Sequence, residues 1–210
     1  GVADTWSLIR TFAEVFDHSL LFLNATDGIL LGSDREMKAD PSKPLPEGAL
    51  NDLIRIENGG IYDLAGNFIC GRDRLLSASS RYASITDDRP TLEFTAPISH
   101  WNEDQKGPIE MRRQFIGLME PVETLFEGGA DLETARKFQE SRRLINQAFI
   151  IERTGSPDEA HRIYEQAYMT NKRDIRAIKA LFMFLRKYNR LDRIPPELQF
   201  LLRPPARPQR

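Results

Sequence analysis

Two short apolar runs, Ser19-Leu20-Leu21-Phe22-Leu23 and Gly28-Ile29-Leu30-Leu31-Gly32, flank the polar stretch Asn24 to Asp27, and they constrain the fold more than any other feature. Runs of this length and composition read as two strands joined by a tight turn. Ahead of them Trp6, Ile9, Phe12, Ala13 and Phe16 recur at helical spacing. That spacing predicts a helix over 5–16 with one buried face, and Asp4 is placed to cap its first turn. Two apolar strands of this kind normally sit at the edge of a larger sheet. Without partners they predict self-association.

Beyond the strands, Pro41, Pro44 and Pro46 make 34–46 an irregular connection, because proline lacks a donor and disfavours helix in the residue before it. A short helix is expected from Glu47 to Glu57, ended by Asn58-Gly59-Gly60. Two more are expected at Ile61 to Phe68 and Arg72 to Ser79. Thr86-Asp87-Asp88-Arg89-Pro90 is a turn-forming cluster, and Thr91-Leu92-Glu93-Phe94 after it is extended in character. The texture changes after His100-Trp101-Asn102, and from Ile109 onward almost everything is helical in pattern. A boundary is therefore expected near 98–107, dividing the chain into 1–100 and 101–210, with a predominantly helical α+β fold.

The charge balance agrees with that division. Residues 1–100 hold 9 Lys/Arg against 15 Asp/Glu, a net of −6, and residues 101–210 hold 20 against 16, a net of +4. The overall net charge of −2 gives no global reason to expect nucleic acid as a partner. One cysteine, Cys70, excludes an internal disulfide and any multi-cysteine metal site, which suits a reducing, cytoplasmic compartment. No apolar run approaches the roughly 20 residues that span a bilayer. The lack of an initiator methionine leads us to expect a piece of a longer protein.

In the last third, Leu144, Ala148 and Ile151 form a stripe, Gly155-Ser156-Pro157 breaks it, and Ala160, Ile163, Tyr164, Ala167 and Tyr168 form a second. Asp174 is placed to cap a third helix bearing Ile178, Leu181, Phe182 and Leu185. Small residues at 148, 160 and 167 permit close helix packing. With Asp158-Glu159-Ala160 and Tyr164-Glu165-Gln166-Ala167, this segment resembles tetratricopeptide repeats, over about one and a half repeats. It departs from that family at Lys172-Arg173, where proline is usual, and in lacking the conventional tryptophan. The resemblance implies helical hairpins used for assembly or regulation; in the alternative reading, a free-standing adaptor, Asn146 and Gln147 line an exposed groove that captures a partner peptide.

The first half carries a second resemblance. Thr11-Phe12-Ala13-Glu14-Val15-Phe16-Asp17-His18, the two apolar runs, and Thr86-Asp87-Asp88-Arg89-Pro90-Thr91-Leu92-Glu93-Phe94-Thr95-Ala96-Pro97 are similar to the end of spermidine-synthase-like proteins, particularly bacterial forms fused to membrane segments. The resemblance covers roughly residues 5–97. It implies that the helix and strand pair are the last elements of a methyltransferase-like sheet, whose parent transfers an aminopropyl group from decarboxylated S-adenosylmethionine to a polyamine. Such chemistry needs a Gly-rich turn after a strand, an acidic residue for the ribose and a carboxylate pair. No such turn occurs in this chain; Gly59-Gly60 follows a helical segment. The expected reading is a non-catalytic carboxyl-terminal region, with the cofactor belonging to a preceding core.

Other candidates are narrower. Asp87, Asp88 and Arg89 form either an acidic site for a polyamine or other cation, or a capped turn in which Arg89 bridges to a carboxylate. His18 and His100 have the residue type for acid–base work, with Asp87 or Asp88 as partner in a small-enzyme reading. His161 reads as a surface residue and Cys70 as a small core residue. Arg136-Lys137, Arg142-Arg143 and the tail Arg203 to Arg210 form basic patches that read as solvated faces.

Overall fold

A computed structural model describes residues 1–24, 27–43, 45–46, 48–55, 58–88 and 106–202. Helix α1 (Val2–Val15) leads into strands β1 (His18–Asn24) and β2 (Asp27–Ser33). Then follow α2 (Ala49–Arg55), α3 (Ile61–Ala65), strand β3 (Phe68–Gly71) and α4 (Arg72–Ser79). After the turn at Asp87 and Asp88 the described chain resumes with α5 (Lys106–Gly117) and a 3-10 turn (Val122–Leu125). The last third contains α6 (Leu132–Thr154), α7 (Pro157–Thr170) and α8 (Ile175–Lys187), then 3-10 turns at Leu191–Arg193 and Pro196–Leu202. Among the described residues the fold is mostly helical, with one small antiparallel sheet of order β2-β1-β3.

The two apolar runs are the predicted hairpin, in continuous register from His18↔Ser33 to Asn24↔Asp27. A strand at Phe68–Gly71 was not expected. Residues 61–68 do not form one helix: it ends at Ala65, and Phe68 to Gly71 pair with β1. The physical reason lies at Gly66. A Cβ there would stand 2.9 Å from the Cβ of Phe138 and 3.0 Å from its carbonyl carbon, so the backbone runs directly against α6. Phe68, Ile69 and Cys70 that follow are all buried.

β1 therefore lies in the middle of the sheet, and its alternating side chains feed two cores. Leu21 and Leu23 pack with Trp6, Ile9 and Ala13 of α1, Leu75 of α4, and Met111 and Phe115 of α5. Leu20 and Phe22 pack on the other side with Ala65, Phe68, Val122, Leu125 and Ala135. Each core draws on residues from both sides of 98–107. The compositional change expected there, itself outside the described residues together with Thr91 to Phe94 and His100, does not separate two cores.

The last third closes on a further core. Asp131 caps α6 by accepting from the Thr134 N–H at 3.1 Å, Gly155 ends it in the left-handed region at φ 112°, and Pro157 opens α7. Asp174 caps α8 as expected, accepting from the N–H groups of Arg176 and Ala177 at 2.9 and 3.3 Å. Ala148, Ala160 and Ala167 have no exposed surface, which lets α6 and α7 lie close. Tyr164, Tyr168, Leu181, Phe184 and Leu185 fill the space around Ala148 and Ala160. His161 is buried here, stacked on Phe184 with ring centroids 5.6 Å apart; it is not a surface residue.

Candidate functional site

The outer edge of β2 is an exposed, largely apolar strand edge. In an antiparallel ladder, the N–H and C=O of one residue point to the same side, and successive residues alternate. The Leu23 N–H donates to the Asn67 carbonyl at 2.8 Å, on the β3 side. Leu20, Phe22 and Asn24 therefore bond to β2, and their partners Leu31, Ile29 and Asp27 turn their backbone groups inward. The backbone groups of Gly28, Leu30 and Gly32 point outward. Among the described residues β2 pairs with β1 alone. The expectation that both apolar strands lack partners is thus corrected: β1 is paired on both sides, and of the two it is β2 whose outer edge is open among the described residues.

Both faces beside this edge are apolar. Ile29 and Leu31 are 40% and 45% exposed and border a hollow of about 380 Å³ lined also by Leu20, Phe22, Met37 and Leu64. On the opposite face Leu30 joins Leu8, Met111 and Phe115 around a second hollow of about 350 Å³. Gly32 is required by packing, since a Cβ would meet the rings of Phe16 and Phe12 at 2.5 and 2.8 Å. Edge strands of soluble proteins are usually blunted by Lys, Pro or a bulge. β2 has none of these from Asp27 to Ser33.

A polar hollow lies at the start of β1, lined by His18 with Asp17, Glu36, Arg72, Asp73 and Glu120. Several of these groups are engaged in holding the fold. The Glu120 carboxylate accepts from the Gly71 N–H at 2.8 Å and pairs with Arg74 at 3.2 Å, and Arg72 donates to the carbonyls of Ala13 and Phe16. Neither Asp87 nor Asp88 lines this hollow, so the small-enzyme constellation of His18 with those carboxylates is not assembled there. Asp87 and Asp88 are exposed in a turn, and Arg89 lies outside the described residues. No group of three or more His, Cys, Asp or Glu residues among the described residues could hold a metal ion.

The buried polar groups form a network that the sequence did not reveal. Arg142 of α6 is ion-paired with Asp63 of α3 and, at 3.1 Å, with Asp174 at the start of α8. Asp174 also accepts from the Ser141 hydroxyl at 2.8 Å, and Asp63 from the Gly59 N–H at 2.7 Å. Arg176 donates to Asn67 at 3.2 Å, and Asn67 donates to Asn58 at the same distance. Burial pushes the Asp63 carboxyl above its ordinary range, against the opposing pull of Arg142. Arg142 is thus a buried cross-link and no part of a solvated basic patch. The sequence signal available was its position two turns beyond Ala135, on the buried stripe of α6.

Asn146 is corrected in the same way. It is buried, accepts from Arg112 of α5 at 2.5 Å and donates to the Arg142 carbonyl at 2.8 Å, so it does not line an exposed peptide groove. Gln147 is half-buried and accepts from Arg143 at 3.4 Å. Cys70 is wholly buried as expected; burial, then the charge of Glu120, pushes its thiol up to about 12, which makes it a poor nucleophile.

The one strand-to-helix turn among the described residues, at Gly71, holds a single glycine, and its N–H is taken by Glu120. No family model, curated protein or solved structure matches this chain. No described helix is long and apolar enough to cross a membrane.

Proposed function

We propose that this chain is a non-catalytic carboxyl-terminal region of a spermidine-synthase-like protein, serving assembly. In this reading α1 and the hairpin are remnants of a methyltransferase-like sheet, and α6 to α8 are a tetratricopeptide-like module packed onto it. Aminopropyl transfer from decarboxylated S-adenosylmethionine to a polyamine belongs to the parent's preceding core, in the cytoplasm. The observation that carries the reading is the open edge of β2, flanked by apolar surface on both faces. A strand with two apolar faces is the pattern of a sheet covered by helices on both sides. The engaged state of Glu120 and Arg72, and the burial of Cys70, favour a structural over a chemical role.

The test is calorimetric titration of the chain with S-adenosylmethionine analogues. No saturable heat is expected, and tight binding by this chain alone overturns the reading.

A further inference from the structure

Resting on the assembly reading, we infer that the occupant of the β2 edge is a second copy of this chain, bound antiparallel, β2 against β2, about a two-fold axis at Leu30. A two-fold interface must be self-complementary, because residue i meets j and j meets i. β2 satisfies this along its length. Its sequence Gly28-Ile29-Leu30-Leu31-Gly32 is symmetric in size and polarity about Leu30.

The hydrogen-bond phase admits this centre. The outward residues are Gly28, Leu30 and Gly32, as the Leu23 to Asn67 bond requires. With the axis at Leu30, that residue faces its own copy as a hydrogen-bonded pair, and Gly28 faces Gly32 of the other chain. An axis at Ile29 or Leu31 would also set outward residues opposite one another, but Gly28 would then face Leu30, or Leu30 face Gly32, and the symmetric pairing of the sequence would be lost. With the axis at Leu30, Ile29 stands opposite Leu31 of the second copy, a non-hydrogen-bonded pair with Cα atoms about 4.5 Å apart and side chains in contact.

The charges allow this pairing. At the ends Asp27 faces Ser33, so no like charges stand directly opposite one another within the strand. The half-exposed Ile29 and Leu31 of each copy become covered by those of the other, beside the apolar hollow they already border. Each three-stranded sheet becomes half of a continuous six-stranded one, with β2 paired on both sides.

The experiment is sedimentation of the 210-residue chain across concentrations, with two double variants. The parent sequence should sediment as a concentration-dependent dimer. Ile29→Lys with Leu31→Lys sets like charges opposite each other twice and should weaken the dimer at least tenfold. Ile29→Lys with Leu31→Glu sets opposite charges across the same axis and should restore it, and less so at high salt. As a second measurement, the amides of Gly28, Leu30 and Gly32 should exchange more slowly as the parent chain is concentrated. A parent chain that stays monomeric, a charge swap that fails to restore a folded dimer, or edge amides whose exchange ignores concentration overturns the two-fold. The cofactor titration is unaffected by any of these results, so the assembly reading stands or falls separately.

Discussion

Arg142 and Asp63 lie 79 positions apart in the chain, yet they form a buried ion pair between α6 and α3. The pair is accompanied by Asp174, so one guanidinium ties together a helix beside the sheet and two helices of the last third. Removing one partner leaves the others charged in a dry site, which is the costly way to break a buried pair. Asp63→Ala should destabilise the fold by about 3–5 kcal/mol. Replacing both, as Asp63→Leu with Arg142→Leu, should cost less than the sum of the single changes, which urea unfolding of the three variants would reveal.

Titration of His161 should leave a distinct mark on stability. Burial against Phe184 holds its imidazole below the ordinary value, opposed by Glu165 and reinforced by Arg193 and Arg190, with Asp158 opposing more weakly. The unfolded chain therefore binds the proton more readily than the folded one. The contribution is fully present above the unfolded value of about 6.5 and is lost as pH falls through the lower folded value. Thermal unfolding at pH 7.5 and 5 should show a drop in Tm that shrinks in His161→Phe.

Gly66 is where a helix is forced to stop. Gly66→Ala would drive a methyl into the backbone of Phe138 and should cost about 1–3 kcal/mol by overpacking. A comparable loss at Gly107, where a Cβ would meet nothing within 4 Å, is not expected. Denaturant midpoints of the two variants test the contrast.

Ala148 has no exposed surface between α6 and its neighbours, and Leu181 packs in the same core. Ala148→Leu should separate the helices, and Leu181→Ala should leave a cavity worth about 2–5 kcal/mol. Proteolysis at a fixed protease concentration should cut both variants faster than the parent chain.

Much of this architecture was legible from periodicity. The stripe of Trp6, Ile9 and Ala13, the hairpin, and the caps at Asp174 and Gly155 follow from local spacing and turn chemistry, and each is where the sequence placed it. What escaped was non-local. Phe68 to Gly71 is four residues long and merges with the helical pattern before it, so β3 exists only because β1 is there to pair with it. Arg142 and Asn146 read as surface groups because their partners come from distant segments. The openness of β2 could be suspected from Gly28 to Gly32, but which backbone groups face outward depends on the register with β1 and the bond from Leu23 to Asn67.

The two cores that flank β1 each need side chains from 1–82 and from 111–135. Neither stretch can hide its own apolar face. Expressed as separate pieces, 1–88 and 106–202 should each be sticky and short-lived, whereas expressed together they should find one another and reconstitute the fold, as the halves of a split reporter do. The chain is in this sense an obligate complex of its own two ends.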